Sequence, residues 1–356
     1  MSHPTLMRSE RIDIVVSIAE ILLSGIFGLF TALFQGSAGA PGYSTRVIHH
    51  LLRKTARLSV AQFQYLDRNT STDLVYSQFA QRTGISENSI LLSDGTRCHW
   101  IGSQECKRVL LYFPGSFVLP SSRFHLQFAA NCAKTLEREG REAAVLVVST
   151  DLAPGSQYPR QLSQGATALK YLLEKTGRNP SDKITLVGDS AAGNLALALL
   201  SHIKHPAPDV PLLELREDLQ GVILASPITD FDATTPSAVE NAKKDWLDQG
   251  AIKTWGDNYA GHSVRDIYIN PGLASEEWWK DIRVKKAIVL FGEYELARDS
   301  IETWVTKFKK HNPETTVILG KGEFHAQPVM DLMRGSKVPS RQAEALKLWL
   351  TQSLWL

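Results

Sequence analysis

The stretch Gly188-Asp189-Ser190-Ala191-Ala192-Gly193-Asn194 constrains the fold of this chain more than any other. The residues before it, 183–187, read as a short buried strand, and 195–200 continue as a helix. A strand that turns sharply through a Gly-x-Ser-x-Gly-like sequence into a helix lifts the serine hydroxyl above a parallel sheet. Here the spacing is Gly188-x-Ser190-x-x-Gly193, with Ala192 where the strict pattern has glycine. Alanine is small enough to keep helix and strand in close contact. A plain strand-to-helix turn with a capping serine would also produce a serine here, so the rest of the chain has to supply the partners of a nucleophile.

The rhythm around this stretch is that of an α/β protein. From about residue 88, strands are expected at 109–113, 143–149, 221–225, 287–291 and 316–319, with helices at 124–139, 161–175, 300–310 and 341–354. Continuous apolar strands between amphipathic helices indicate a mostly parallel, doubly wound sheet buried on both faces. Between about 232 and 284 the rhythm breaks, and charges mix with Trp246, Trp255, Trp278 and Trp279. That segment reads as an inserted lid after a strand's carboxyl end, where such sheets build their sites. The tryptophans either line an apolar pocket or pack the insertion itself.

A serine hydroxyl needs a base, and the base needs an orienting carboxylate. In a doubly wound sheet of this kind the order is serine, acid, histidine. Only His311 and His325 lie after the late strands. His311 sits in the polar end of a helix, whereas His325 follows the 316–319 strand in a loop, where a base belongs. The carboxylate is expected in Gly292-Glu293-Tyr294-Glu295-Leu296-Ala297-Arg298-Asp299. Glu295 is the first choice. Asp299 is the alternative acid, although it also suits the start of a helix, and Glu293 suits a pairing with Arg298. Developing oxyanion charge calls for two amide donors. Ala191, next to the nucleophile, is one, and Gly115 or Ser116 in Pro114-Gly115-Ser116-Phe117 supplies the other.

Composition removes other chemistries. With a formal net charge of +2 and no basic run interleaved with aromatics, nothing calls for nucleic acid. Cys98, Cys106 and Cys132 are odd in number and lack metal-ligand spacing, so they fit reduced thiols inside a cell. His49-His50 and His202-x-x-His205 have no carboxylates or cysteines at ligand spacing, so no metal and no cofactor is expected. Asn69-Thr70-Ser71 matches a glycosylation sequon.

The N-terminus admits three readings. Residues 14–34 form an apolar run long enough to cross a bilayer. Yet Asp13, Ser17, Glu20, Ser24, Gly28 and Thr31 recur every three or four residues as a narrow polar stripe. Such a stripe suits a helix that caps a pocket or lies in a membrane interface. A membrane anchor and a signal sequence are the other readings. The Gly36-Ser37-Ala38-Gly39-Ala40 segment imitates a cleavage site. If the run spans, Arg46, Arg53, Lys54 and Arg57 outnumber Arg8 and Arg11 and favour a cytosolic main domain.

Taken together, the elbow, the Leu110–Val118 loop and Asp151-Leu152-Ala153-Pro154-Gly155-Ser156-Gln157-Tyr158-Pro159 resemble the hormone-sensitive-lipase-like branch of the α/β-hydrolases. Ser226-Pro227-Ile228-Thr229-Asp230 and Glu293-Tyr294-Glu295 are similar to two further motifs of that branch, in its order, over residues 75–356. The N-terminal part resembles fungal members that include steryl acetyl hydrolases and secondary-metabolite tailoring hydrolases. The resemblance implies residues 1–75 as an N-terminal helical cap or membrane-associated segment and 76–356 as a catalytic domain. It implies a Ser190–His325–Glu295 triad acting on an ester or thioester of a bulky hydrophobic molecule, delivered by a biosynthetic synthase in a polyketide or terpenoid pathway. A sterol or lipid acetyl-esterase at a membrane, and a non-hydrolytic binding protein or cyclase, are the alternatives. One motif departs from the family: its His-Gly-Gly-Gly loop is here Pro114-Gly115-Ser116, one residue shorter. Proline removes a donor and the lost glycines stiffen the loop.

Overall fold

A computed structural model of the chain describes residues 8–66 and 71–354. The sequon residues Asn69 and Thr70 lie outside the described residues. Four helices come first: α1 (Arg8–Phe34), α2 (Tyr43–Ala56), α3 (Val60–Leu66) and α4 (Thr72–Thr83). Then follow β1 (Ser89–Leu91), β2 (Arg97–Ile101), β3 (Arg108–Phe113), α5 (Arg123–Arg138), β4 (Ala143–Ser149), α6 (Arg160–Glu174), the single turn α7 (Pro180–Lys183) and β5 (Ile184–Asp189). The chain continues through α8 (Ala191–Lys204), β6 (Leu219–Ala225), α9 (Pro236–Glu240), α10 (Gln249–Ala260) and β7 (Val284–Gly292). It closes with α11 (Arg298–His311), β8 (Thr315–Gly320), α12 (Gln327–Arg334) and α13 (Arg341–Gln352).

The strands form one eight-stranded sheet in the order β1-β2-β4-β3-β5-β6-β7-β8. From β4 to β8 all neighbours run parallel, while β1 and β2 pair antiparallel at one edge. Successive strand residues point to opposite faces, and both faces are buried. Val109, Leu111 and Phe113 of β3 join one core cluster, and Leu110 and Tyr112 join the other. Each such side chain contributes roughly 1.5–3 kcal/mol through its removal from water. Register aligns the strand ends that matter: Asp189 pairs with Ala225, Ala225 with Leu290, and Gly292 with Gly320. The loops after β5, β6, β7 and β8 therefore emerge side by side.

The structure bears on the expected organisation at two points. A boundary at residues 75–76 would cut α4, whose Val75, Tyr76 and Phe79 are buried in the core cluster of β3 and α5; helix α4 belongs to the main body. Nor does the 14–34 run cap the cavity described below. None of its residues lines that cavity, which α2 and α3 cover through Leu52, Thr55, Ala56 and Phe63. Helix α1 lies outside them, against α2. The segment between β6 and β7 carries α9 and α10, and its tryptophans divide. Trp246 and Trp255 face the cavity, whereas Trp279 is fully buried against Trp304 and Phe308 and Trp278 stacks on His205.

Candidate active site

One residue, Ser190, separates the end of β5 from the start of α8, so the turn between them is sharp. Ser190 carries it at φ 56 and ψ −126, a conformation that costs a non-glycine residue on the order of 1–3 kcal/mol. The surroundings hold it there: Ser190 N–H donates to Ala225 O at 2.9 Å, and its own carbonyl accepts from Ile228 at 3.0 Å. Sterics explain the flanking glycines. A Cβ on Gly188 would lie 2.4 Å from Ala192 O, and one on Gly193 would lie 2.9 Å from Pro227 Cα. Ala192 fits with 3% of its surface exposed.

The loop after β8 brings His325 to this serine. His325 Nε2 lies 2.8 Å from Ser190 Oγ, and Nδ1 lies 3.3 Å from Glu295 Oε2. Both His325 and Glu295 are fully buried. The other oxygen of Glu295 accepts from Ser226 Oγ at 2.5 Å and from Gly292 N at 2.6 Å. Ser226 Oγ in turn accepts the Ala326 amide at 2.8 Å, so one hydroxyl ties the acid to the base loop. Ser226 and Ala326 both have φ 50, and strain thus gathers around the site. Burial works against a charged His325, but the hydrogen bond and charge of Glu295, then the charges of Asp245 and Asp189, outweigh it. The pKa of His325 is raised above its ordinary value of 6.5.

The structure does not bring the other candidates to the serine. Asp299 Oδ2 accepts the Ser237 amide at 2.8 Å and so caps the first turn of α9, and Oδ1 meets Arg298. The Glu293 carboxylate accepts from Gly322 N at 2.9 Å, and Arg298 reaches its backbone oxygen rather than its side chain. His311 ends α11 beside Glu276.

The expected oxyanion loop differs from expectation in a specific way. Gly115 N–H is directed to Asp189 Oδ1 at 3.4 Å, and Ser116 N–H to Pro114 O at 3.0 Å. Both amides therefore serve protein acceptors, because the short loop folds back on itself with Gly115 at φ 46. Ala191 opens α8, where its amide has no intrahelical acceptor. Against the loop stands His125 of α5. Its Nδ1 accepts the Ser122 amide at 3.0 Å, which places the proton of the neutral ring on Nε2. That nitrogen lies 3.4 Å from Asp189 Oδ2, and a Cβ on Gly115 would lie 2.6 Å from it. Tyr112 O–H donates to Asp189 Oδ1 at 2.6 Å.

Further residues of the β6–β7 segment hold the site from behind. Asn241 Nδ2 donates to Glu293 O and Glu295 O at 3.1 and 2.9 Å, and Asp245 Oδ2 accepts the Leu296 amide at 2.9 Å. Trp246 Nε1 donates to His325 O at 2.8 Å. Burial pushes the Asp245 carboxyl up to about 6, with the charge of Glu295 in the same sense and His325 opposing. Sequence reading assigned no role to Asn241, Asp245, Ser226 or His125, and it named Trp246 only as a residue of the pocket or of the insertion's packing. Ser226 did stand in a quoted motif, but the others carry no local signature.

In front of Ser190 opens a cavity of about 380 Å³, walled by Phe117, Phe231, Trp246, Trp255 and Met330 among others. Among the described residues no cluster of His, Cys, Asp and Glu is placed to hold a metal ion.

A serine on a strained strand–helix turn, a histidine and a buried glutamate from the next loops, all at the carboxyl edge of a parallel sheet, define the α/β-hydrolase class. The chain belongs to the alpha/beta hydrolase fold family, whose model matches residues 109–328. It is 28% identical over 228 residues to a Schizosaccharomyces pombe protein with the provisional name steryl acetyl hydrolase mug81, covering 58% of this chain and 55% of that protein. It is 29% identical over 173 residues to Esterase LipI of Mycobacterium tuberculosis, covering 47% of this chain and 50% of that protein. The chain thus spans about half the length of these curated relatives. Among solved structures, an esterase from the bacterial hormone-sensitive lipase family superposes with a TM-score of 0.65 at 21% identity, over 89% of this chain and 98% of that one. At that identity the likeness speaks for the fold.

Proposed function

We propose that this protein is a serine ester hydrolase that acts through Ser190, His325 and Glu295 on an ester of a bulky apolar alcohol. The observation that carries the reading is the unbroken line from Ser190 Oγ to His325 at 2.8 Å and on to Glu295 at 3.3 Å. Ser190 Oγ attacks the ester carbonyl carbon while His325 Nε2 takes its proton. The tetrahedral intermediate collapses, the C–O bond to the alcohol breaks, and His325 returns the proton to the departing oxygen. Water, deprotonated by the same histidine, then opens the acyl-serine to give free acid and enzyme. Glu295 keeps the Nδ1 proton in place throughout.

The apolar cavity supports a hydrophobic substrate, and the acetyl hydrolase name of one relative supports a short acyl group. A tailoring or product-release step on a polyketide or terpenoid is the finer reading. It draws on the shortened oxyanion loop, which fits a specialised catalyst better than a general esterase. The same loop favours a second reading, a cyclase or binding protein on this fold, because the Gly115 and Ser116 amides are already engaged.

Purified protein offered acetyl esters of bulky apolar alcohols, matched thioesters and long-chain acyl esters tests the proposal. Acetyl esters should be cleaved with kcat/KM at least about tenfold above the long-chain esters, and Ser190→Ala should cleave none. Turnover that survives Ser190→Ala would overturn the hydrolase reading. In the producing cell, metabolite profiles should show one acylated compound accumulating with Ser190→Ala.

A further inference from the structure

Helix α1 is built inside out for a water-soluble protein. Its protein-facing side is rich in small and polar residues: Ser17, Ser24, Gly28, Thr31 and Ala32, beside Ile14 and Ile21, recur at helical spacing and are buried or half-buried. Ser24 Oγ lies 2.7 Å from His50 Nε2, and Ser17 Oγ lies 3.5 Å from Gln62 Nε2 of α3. A Cβ on Gly25 would lie 2.8 Å from Leu51, and one on Gly28 would lie 3.0 Å from His50, so small residues let α1 and α2 approach closely. The outward side is apolar throughout. Leu22, Leu23, Phe27, Phe30, Leu33 and Phe34 are each between 62 and 86% exposed. Only 11% of the Asp13–Phe34 window, with a mean hydropathy of 2.1, is buried. An exposed apolar face of this size marks an interaction surface.

We infer that α1 lies in the plane of a lipid bilayer, its apolar side sunk into the acyl region, and that the catalytic cavity draws its substrate from that bilayer. This rests on the hydrolase reading only for the identity of what enters. Three observations choose the bilayer and the in-plane pose. First, α1 is fastened along its length: Ser17 to α3 and Ser24 to α2, while Arg46 donates to Ala32 O at 2.9 Å. α2 is in turn locked to the main body by His49 Nδ1 at 2.8 Å from Lys244 O and by Arg53 on Asp245 O. A helix tied sideways to a charged body cannot stand across a membrane, but it can lie in an interface. Second, Asp13 and Glu20 remain exposed on the flank. An in-plane helix leaves them at headgroup level, whereas a span would put Glu20 in hydrocarbon. Third, a groove of about 1190 Å³ opens between Phe27 and Thr31 of α1, α2 and the β6–β7 segment. Lys54 and Lys243 stand along it, suited to anionic phosphates, while Arg57 in the same groove is paired with Asp248 at 2.8 Å. It borders the catalytic cavity at Ala56 and Leu247, which line both.

Flotation of the full-length protein with phosphatidylcholine vesicles containing one-third phosphatidylglycerol tests the inference. Wild type should float, with an N-terminal tag open to protease added outside the vesicle, as an in-plane helix leaves it. Leu22→Glu/Phe30→Glu should bind at least about tenfold less while melting at the wild-type temperature. If that pair does not fold, Leu23→Glu alone serves the same comparison. Ser190→Ala should float like wild type, so loss of its ester cleavage with binding intact separates this surface from the hydrolase reading. Wild-type protein that stays with the soluble fraction overturns the proposal. So does a protein whose N-terminal tag is shielded inside the vesicle from added protease, which means a span. A dimer that dissociates on Leu22→Glu/Phe30→Glu without vesicle binding would show that a second copy covers the face.

Discussion

The two walls of the candidate site are built differently. On the acid–base side every polar group is held twice or more: Glu295 by Ser226 and Gly292, and the backbone of its loop by Asn241 and Asp245. His325 is held through its carbonyl by Trp246. On the oxyanion side a short loop spends its amides on Asp189 and Pro114 and leans on His125. In the proposed reaction the activating groups are thus preorganised, while stabilising negative charge falls to Ala191 as long as the Gly115 and Ser116 amides keep these acceptors. Such a contrast predicts a serine that is readily activated but a tetrahedral intermediate that is less well supported, since each oxyanion donor is worth a factor of about 10² to 10³ in turnover.

The sharpest way to break this contrast is on the rigid side. Ser190→Ala should take kcat on a chromogenic acetyl ester below detection, a loss on the order of 10⁴-fold or more. Glu295→Gln should cost about 10³ to 10⁴, because the wrong tautomer of His325 is then favoured. Asp299→Asn should change kcat by less than about threefold and register mainly as a lower Tm, through the lost α9 cap. If the two acids exchanged these effects, the assignment of Glu295 would be wrong.

On the loose side, Gly115→Ala introduces a Cβ at φ 46, 2.6 Å from His125 Nε2. It should cost about 10² in kcat at little change in KM, because the loop is pushed away from Ala191. An unchanged kcat would show that this loop takes no part in stabilising the intermediate. A smaller effect comes with pH. The histidine must be neutral to act as base, and its pKa is raised, so activity should climb with pH to a midpoint above 6.5. In Glu295→Gln the residual activity should climb at lower pH, since the group that most favours the charged ring is gone.

Much of this was legible in sequence, and the reasons are physical. Strands β3 to β8 are short continuous apolar runs, and the elbow needs Gly188 and Gly193 for steric reasons that act within a few residues. His325 and Glu295, which the structure places in line with Ser190, were chosen as candidates because chain order in this sheet is fixed by topology. What stayed hidden depends on long-range packing. Asp245 and Asn241 reach the acid loop from about 50 residues away, and nothing near them distinguishes them from a solvated charged segment. β1 escaped because an exposed three-residue strand leaves almost no pattern, and β2 because its buried run Cys98-His99-Trp100-Ile101 mixes polar and apolar residues. Helix α1 was legible in its periodicity but not in its direction. The stripe was seen, yet which side faces the protein is decided by α2, where Gly25 and Gly28 meet Leu51 and His50.

The most direct measurement is the rate at which a fluorophosphonate modifies the folded protein, followed by intact mass and peptide mapping. A single adduct on Ser190 is expected, with the rate falling by at least about 10²-fold in His325→Ala. An adduct on another residue, or an equal rate in His325→Ala, would contradict a serine activated by this histidine.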